Sequence, residues 1–552
     1  MTSSKREHWA SRFGLILAMA GNAIGLGNFL RFPRLAAQYG GGAFLIPYFI
    51  ALLLLGIPLM WLEWSMGRFG GRFGHSATPG MFDRMWKSPA AKYIGSLGLS
   101  LPLLFTVYYT YIESWTLAYS YYSATGAYLA PAATDSASTV SITPASTAEE
   151  DLLATSRTNQ FLKDYQGINA PEQRVYFRSR WPAIGFWLLA IGLNCWVISR
   201  GLSGGIERLA RIAMPLLFLF AVVLVVRVLM VGTPDSTHPE RSVWAGLNYI
   251  WEPKFAALAD FNVWLMAAGQ IFFTLSIGTG SIQCYASYLN PNDDIALTGL
   301  ATTATNEFAE VILGATIAIP IAVATFGVAT TQEIASQGSF NLGFVAMPVI
   351  FETLPAGRFF GMLWFLLLFF AGITSSVGLC QPVVAFLKDE FDFSQQLSSC
   401  ICGCLMICLG LPIVLFLGTG YLDQYDFWIG TFGLVLLALS ETVVFAWCFS
   451  DDEASLSPKF WNELTRSNEF QIHWIFQPII RYVVPLVLTS LLLGWVWQSF
   501  ADAILLQTSP PEDRPYLWMA RLTIVSVIFA GALLVHTAWK RKNSQPCREE
   551  IR

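Results

Sequence analysis

Stretches of about 20 apolar residues, the length of a membrane-spanning helix, recur along the whole chain with short polar segments between them. AFLIPYFIALLLLGIPLMWL (43–62) and MPLLFLFAVVLVVRVLMV (214–231) are two examples. The pattern predicts an all-α integral membrane protein with about twelve transmembrane helices. They are expected at 12–37, 42–67, 93–124, 181–199, 207–232, 261–288, 295–327, 358–387, 396–417, 425–449, 477–499 and 517–539.

Two of these spans are interrupted by small, flexible residues. GNAIGLGN breaks the first span at 21–28, and SIGTG breaks the sixth at 276–280. Backbone N–H and C=O groups without a hydrogen-bond partner are costly in lipid. A break inside a span therefore indicates that a ligand binds these groups. A single glycine-rich segment would favour close helix packing. Two such segments, five spans apart, favour a 5+5 inverted repeat with broken helices 1 and 6, which is typical of transporters.

Carboxylates inside or beside apolar segments are a second costly feature. They are Glu63, Glu113, Glu307, Glu310 and Asp389, and such groups usually face a partner or a watery path. No nucleophile with a base and no cluster of metal ligands stands out, so an enzyme is not indicated. The CICGC run at 400–404 has no histidine nearby, which favours packed thiols over a metal site or a disulfide.

The charges exclude one class of partner and predict an orientation. The 552 residues are 13% charged and carry a formal net charge of −4, without a basic run that would bind nucleic acid. Basic residues cluster before the first span and after the second, fourth and last spans. The positive-inside rule then predicts that both termini lie in the cytoplasm. We expect the protein in the inner membrane of a cell. No small-residue cleavage site follows the charged N-terminus, so the first span is expected to stay.

The spans and their connections divide the chain into regions. We expect a cytoplasmic N-terminus (1–11), a first five-helix repeat (12–232), an extracellular loop (233–260), a second, inverted repeat (261–450), a cytoplasmic loop (451–476), two peripheral helices (477–540) and a cytoplasmic tail (541–552). The first repeat contains an extracellular loop at about 125–180. Its run ATDSASTVSITPASTAEED predicts flexibility, because small polar residues cannot build a packed core.

Several motifs resemble those of one known family. GNAIGLGNFLRFP (21–33), GQIFFTLSIGTG (269–280), TNEFAEVILG (305–314) and FFAGITSSVGLCQP (369–382) look like segments of the neurotransmitter:sodium symporter family. The likeness covers roughly residues 5–540. It implies a LeuT-like fold that carries an amino acid with sodium ions across a lipid bilayer by alternating access. It leaves open whether the chain forms a homodimer.

The resemblance also implies which residues form the site. Substrate contacts would come from Asn22, Ala23, Gly25, Leu26, Gly27, Phe105, Tyr109, Phe273, Thr274, Ser276, Thr279, Ser375, Ser376 and Leu379. Two sodium sites are implied. The first would use the Ala23 carbonyl, Asn28, Thr274, Asn306 and the substrate carboxylate, and the second the carbonyls of Gly21, Ile24 and Ala371 with the hydroxyls of Thr374 and Ser375. Neutral oxygens suit a hard cation that must be released again.

Gates and an ion substitution follow from the same resemblance. Arg31 and Asp426 would form the outer ionic gate, with Phe273 and Tyr109 as an aromatic lid below it, and Arg6 and Asp389, with Trp9 and Tyr288 nearby, would form the inner gate. Glu310 stands where chloride-dependent relatives have a small polar residue. A built-in carboxylate would replace chloride there, which predicts chloride-independent transport. The alternative is a buried glutamate that only bonds to a neighbour.

The substrate side chain and two other functions stay open. Phe105 and Thr279 replace a valine and a phenylalanine of the family's leucine transporter, so an apolar amino acid is predicted without saying which one. A sodium-dependent amino-acid sensor without transport would show the same motifs. A symporter for another small amine or an osmolyte is the third reading. Gly25 speaks against it, because an aspartate there would suit an amine that lacks a carboxylate.

Overall fold

The computed structural model of the chain is helical, with no strand in the residues that it describes. These residues are 7–129, 148–168, 181–234, 238–449, 458–466, 469–500 and 504–543. Within them, ten continuous helices are long and apolar enough to cross a membrane, and one bent pair makes an eleventh candidate span. A further broken pair coincides with the sixth predicted span. The all-α membrane fold expected from the sequence is therefore confirmed.

Two small helices, Thr78–Met85 and Lys459–Leu464, lie in the connections between the main helices. In chain order the main helices are α1 (Arg12–Ala23), α2 (Gly27–Gln38), α3 (Gly42–Arg72), α4 (Ala90–Thr125), α5 (Ala148–Gln166), α6 (Trp181–Ser199), α7 (Leu202–Leu229), α8 (Val243–Trp251), α9 (Phe261–Thr274), α10 (Ser281–Ala286), α11 (Ile295–Gln337), α12 (Leu342–Thr353), α13 (Gly357–Phe391), α14 (Gln395–Leu415), α15 (Tyr421–Cys448), α16 (Phe476–Gln498) and α17 (Arg514–Asn543). Each of the predicted spans coincides with one of these helices or with one of the pairs α1–α2 and α9–α10.

Two long helices, α4 and α13, form the scaffold on which the site is built. They pack along each other over much of their length. Small residues of α13 permit the close approach, since a Cβ at Gly372 would lie 3.0 Å from Glu113 Cγ. The packing is dense on α13, where most residues from Gly361 onwards are buried. This contact holds Phe105 and Tyr109 of α4 opposite Ser375 and Leu379 of α13.

One connection differs from the sequence prediction. The run of small polar residues near 125–180 predicts a flexible loop, but its last residues begin helix α5. The rest of that run lies outside the described residues. Phe161 and Tyr165 of α5 pack edge-on against Tyr119, and Thr158 donates a hydrogen bond to the Val345 carbonyl at 2.9 Å. Tertiary contacts therefore hold α5, whose residues after 151 include many helix formers, in a region that the small polar run before it marks as a loop.

Helix α11 also extends beyond its predicted end. The sequence predicts a span that stops at 327, and the structure has a kink there, with Gly327 at φ +79°. Glycine adopts this left-handed conformation without the steric cost that a side chain would bring. The helix then continues to Gln337. The sequence thus marks the position of the bend, and the helical segment beyond it went unpredicted.

Candidate substrate and sodium site

The first span unwinds between α1 and α2, whose axes differ by 49°. The backbone amides freed by this break point towards side chains. Gly25 N–H donates to Asn28 Oδ1 at 2.8 Å, and Leu26 N–H donates to the Tyr109 hydroxyl at 2.8 Å. The start of α2 follows directly, and the positive end of a helix dipole favours an anion. The break can therefore receive a carboxylate.

The sixth span unwinds between α9 and α10. Ser276 adopts a left-handed conformation with φ +56°, which costs a residue with a side chain roughly 1–2 kcal/mol. The Gly278 amide donates to Glu63 Oε1 at 2.7 Å, so a buried carboxylate of α3 holds the unwound backbone. The Ser276 hydroxyl donates to the Asn22 carbonyl at 2.9 Å. This bond joins the two breaks, which the sequence places five spans apart.

The two breaks enclose a cavity against α4 and α13. Ten of the predicted substrate contacts line it, together with Asn28, which is predicted only as a sodium ligand: Ala23, Gly25, Gly27, Asn28, Phe105, Tyr109, Phe273, Ser276, Thr279, Ser375 and Leu379. About 10 Å³ of it is open to the centre of a water-sized sphere, which is room for about one water molecule. The predicted residues thus surround one space, and the protein is closed around that space in this conformation.

Four predicted contacts, Asn22, Leu26, Thr274 and Ser376, are absent from this wall. Leu26 reaches the site through its amide, and its side chain lies in the vestibule above. Asn22 donates its side-chain amide to Ser281 Oγ at 3.0 Å. Thr274 belongs to the first sodium cluster described below.

Ser376 is the predicted contact whose side chain is turned away from the cavity. Its hydroxyl donates to Asn194 Oδ1 of α6 at 2.7 Å, and Asn194 in turn donates to Glu113 at 3.1 Å. Successive residues of a helix point about 100° apart, because 3.6 residues make one turn. Ser375 faces the cavity, so its neighbour is turned away from the substrate. The side chain of Ser376 is therefore part of a buried polar contact between α13, α6 and α4.

The predicted second sodium site is a cluster of oxygen atoms with few hydrogen-bond donors. Ser375 Oγ lies 3.2 Å from the Gly21 carbonyl and 3.3 Å from those of Asn22 and Ile24, and Thr374 Oγ1 lies 3.2 Å from the Ala371 carbonyl. The Asn22 carbonyl also accepts from Ser276, but the one hydroxyl hydrogen of Ser375 cannot serve the Gly21 and Ile24 carbonyls together. Hard cations hold oxygens at about 2.3–2.6 Å, which sets those oxygens roughly 3–3.5 Å apart. These residues therefore fit a sodium ion.

The predicted first sodium site is organised around Glu310. The Asn28 side-chain amide donates to Asn306 Oδ1 at 2.8 Å and to Glu310 Oε2 at 3.0 Å. The Thr274 hydroxyl also donates to Glu310, and Gln270 donates to its other oxygen at 2.9 Å. The side-chain oxygen of Asn28 faces the Gly25 amide. The Asn28 amide nitrogen thus lies among oxygens of Thr274, Asn306 and Glu310, a set of acceptors that also fits a cation beside a carboxylate.

The predicted outer gate is open on the side of the molecule opposite the N-terminus. Arg31 stacks over the Phe273 ring, with its guanidinium carbon 4.5 Å from the ring centre, while Asp426 accepts a hydrogen bond from Tyr108 at 3.2 Å. Neither residue takes part in an ion pair within 4.0 Å in the described part of the chain. Both line a vestibule of about 120 Å³. Phe273 and Tyr109 form its floor and separate it from the cavity below.

On the N-terminal side, Trp9 and Tyr288 line a polar recess of about 430 Å³, which shares no lining residue with the cavity of the site. Trp9 Nε1 donates to the Tyr285 carbonyl at 3.1 Å, and its ring packs edge-on against that of Tyr285. Asp389 accepts from the Ser76 amide at 2.9 Å, and Tyr288 accepts from Gln381 at 3.2 Å. Arg6, the predicted partner of Asp389, lies outside the described residues, so this pair stays a prediction. The site is thus separated from the recess on the N-terminal side and, by Phe273 and Tyr109, from the vestibule on the other.

Sequence reasoning missed several polar residues that complete the site. Gln270 bonds Glu310, Tyr48 donates to Glu307 at 2.7 Å, and Asn194 joins Ser376 to Glu113. Each is a single polar residue in an apolar stretch, as in MAAGQIFF (266–273) and IGLNCWV (191–197). A lone amide or phenol inside a span needs a partner. That signal was available and could have found them.

Comparison with known proteins places this architecture among sodium-dependent transporters. An uncharacterized sodium-dependent transporter of Methanocaldococcus jannaschii is 28% identical over 89% of this chain and 90% of its own length. The uncharacterized sodium-dependent transporter YhdH of Bacillus subtilis is 26% identical over 90% of this chain and 99% of its own length. The crystal structure of MhsT in complex with L-phenylalanine superimposes with a TM-score of 0.71 at 25% identity, and covers 89% of this chain and 99% of MhsT.

The family match spans almost the whole sequence. Residues 6–538 match the Sodium:neurotransmitter symporter family. This range contains both broken helices, the vestibule and the two oxygen clusters, so the match covers every part of the candidate site. The chain therefore belongs to the Sodium:neurotransmitter symporter family, whose members are sodium-coupled membrane transporters and not enzymes.

Proposed function

We propose that this protein is a symporter that carries a hydrophobic amino acid with two sodium ions and without chloride. The observation that carries the substrate class is that the polar groups at the cavity are already engaged. The Ser276 hydroxyl bonds the Asn22 carbonyl, and the Thr279 hydroxyl donates to the Ser276 carbonyl at 2.7 Å. A polar substrate side chain would lose its bonds to water without gaining partners. An apolar side chain loses nothing there.

Aromatic rings make up much of the remaining wall. The ring of Phe105 lies 5.6 Å from that of Phe273 and 5.7 Å from that of Tyr109, centre to centre. Rings in this range can pack around an apolar or aromatic group. The bound L-phenylalanine in MhsT supports the same substrate class. The human relative named as a sodium- and chloride-dependent neutral and basic amino acid transporter, 24% identical over 90% of this chain, supports an amino acid more broadly.

Sodium would be coupled to the substrate through a shared ligand. The substrate carboxylate, bound at the Leu26 and Gly27 amides and the Tyr109 hydroxyl, would complete the first sodium site beside Thr274. Each ligand then strengthens the binding of the other by the same free energy. A membrane potential of about 100 mV contributes roughly 2.3 kcal/mol per charge, and a tenfold gradient adds about 1.4 kcal/mol per ion. Two ions would supply about 7 kcal/mol for uptake.

The orientation belongs to the same proposal. With both termini in the cytoplasm, as the basic residues at the span ends predict, the open vestibule faces outwards and the Trp9 side faces inwards. The conformation described would then have its vestibule open to the outside and its cavity closed by Phe273 and Tyr109. A multi-pass protein of a cell's inner membrane fits this assignment.

Uptake into sealed vesicles separates the proposal from its rivals. Purified protein in vesicles with an inward sodium gradient should accumulate radiolabelled L-phenylalanine or L-leucine above the level without sodium, and collapse of the gradient should release it. Sodium-dependent binding without uptake would identify a sensor. Sodium-driven uptake of an osmolyte, with no response to any amino acid, would identify the third reading and contradict ours.

The residues that set substrate shape can be tested by exchange. Phe105→Val together with Thr279→Phe moves bulk from one cavity wall to the other, so we expect preference to shift at least fivefold towards leucine-like side chains. Competition by a panel of unlabelled amino acids measures this shift. Phe359→Val is the matched control, since Phe359 is 51% exposed and lies away from the cavity. An unchanged competition profile in the double variant would remove these two positions from the specificity site.

A further inference from the structure

A buried glutamate joins the residues before α1 to the beginning of α7, beside hydrogen bonds that Leu202, Ser203 and Arg211 donate to the same segment. Glu207 is fully buried. Its Oε2 accepts a hydrogen bond from the Ala10 amide at 2.9 Å, and its Oε1 accepts from the Ser11 hydroxyl at 3.2 Å. Arg211, one turn further along α7, pairs with the same carboxylate. We call the contacts of Glu207 with Ala10 and Ser11 the Glu207 latch.

Helix α1 is shaped to fit this carboxylate. Ser11 caps the helix by accepting from the Gly14 amide at 2.9 Å, and a Cβ at position 14 would overlap with Oε1 of Glu207. At its other end, α1 carries the Gly21 carbonyl of the predicted second sodium site. The helix is only 12 residues long. Movement at the latch is therefore passed on to the sodium ligands through one short, rigid element.

The latch differs by its burial from the ion pair that Glu7 forms close to it. Glu7 and Lys388 form an ion pair of 2.9 Å, but their side chains are 39% and 23% exposed. Exposed pairs contribute little to a conformational equilibrium. Hydrogen bonds to a buried carboxylate contribute more, because solvent does not screen them. Release also leaves no unpaired charge, since Arg211 stays with Glu207 on α7 when α1 leaves.

We infer that Glu207 is a positioning residue that holds α1 against α7 and sets how readily the site opens on the N-terminal side. This inference rests on the proposed transport function, because alternating access requires that side to open. Sodium binding at the upper end of α1 would then act together with the latch to keep the helix docked. Weakening the latch should raise the sodium concentration that docking requires.

Hydrogen–deuterium exchange of the full chain in lipid nanodiscs tests this without labels. For the wild type, sodium should protect residues 10–23 relative to choline at equal ionic strength. In Glu207→Ala we expect about tenfold faster exchange of these residues without sodium, which corresponds to about 1.4 kcal/mol. The sodium concentration for half protection should rise by a similar factor. Glu207→Gln should lie between, because its amide oxygen still accepts from Ala10 and no longer pairs with Arg211.

Gly14→Ala perturbs the same latch from helix α1. Its new methyl group displaces the carboxylate, so it should reproduce the effect of Glu207→Ala, and the two changes together should be no worse than either alone. A purely structural role would give additive losses and faster exchange throughout the protein. Arg208→Ala, a charge removal at the neighbouring exposed position of α7, is the control and should leave the sodium midpoint unchanged.

The outcomes distinguish a failure of the proposed transport function from a failure of the proposed role of Glu207. Wild-type exchange that does not respond to sodium would contradict the proposed function. A sodium response in the wild type together with unchanged midpoints in Glu207→Ala and Gly14→Ala would overturn the latch. If Glu207→Ala does not yield folded protein, Glu207→Gln and Gly14→Ala give the same decision.

Discussion

A Glu310→Ser variant is expected to take up substrate at less than about a tenth of the wild-type rate in chloride-free medium and to recover when chloride is added. Glu310 is fully buried and receives hydrogen bonds from Asn28, Thr274 and Gln270. A cation bound by Thr274 would sit within about 5 Å of the carboxylate, where the attraction is worth about 3 kcal/mol at an effective dielectric constant of about 20. Serine removes that attraction, and the donors it leaves behind suit an anion.

The measurement is initial uptake at fixed sodium with gluconate or chloride as the anion. The wild type should show equal rates in both. Glu333→Ser is the matched control, because Glu333 is an exposed glutamate of the same helix α11, and it should stay indifferent to chloride. A Glu310→Ser variant that is equally active in both media, or inactive in both, would refute the substitution of chloride by Glu310.

Both breaks could be predicted from the sequence, and in the sixth span the cause is local. Gly278 and Gly280 adopt φ angles of +72° and +77°, and a regular right-handed helix cannot accommodate positive φ angles. Both interruptions fall inside stretches that hydrophobicity alone identifies as spans. Their pairing follows from counting the spans between them. The meeting of Asn22 and Ser276 in the structure agrees with this part of the sequence interpretation.

The rest of the site depends on packing that one sequence does not encode locally. The rotation of α13 about its axis decides that Ser375 faces the cavity while Ser376 faces Asn194. The sequence TSS (374–376) alone is equally consistent with either serine facing the cavity. Helix α5 is stabilised by aromatic contacts with α4 from a distant part of the chain. The separation of Arg31 from Asp426 reflects which side of the transporter is open. The sequence indicates which residues form the gate, but it does not determine whether the gate is open or closed in a given conformation.

Gly25→Ala is expected to abolish sodium-dependent substrate binding, with a loss of at least about a hundredfold in affinity, or about 2.7 kcal/mol. A Cβ at this position would lie 2.6 Å from the Tyr109 hydroxyl and 2.9 Å from Ser375 Oγ. One methyl group thus displaces a proposed carboxylate ligand and a proposed sodium ligand together. Neither can retreat, because Tyr109 and Ser375 are buried in the tightly packed α4–α13 scaffold.

Binding of radiolabelled L-phenylalanine to purified protein, with sodium or choline, measures this loss. Gly192→Ala is the matched control, since a Cβ there would meet nothing within 4 Å and alanine favours the helix. It should bind as the wild type does. The variant protein should remain folded, because the clash lies in the break and not in a helix. Wild-type affinity in Gly25→Ala would mean that the substrate does not lie against the unwound segment of the first span, and the proposed site would have to be abandoned.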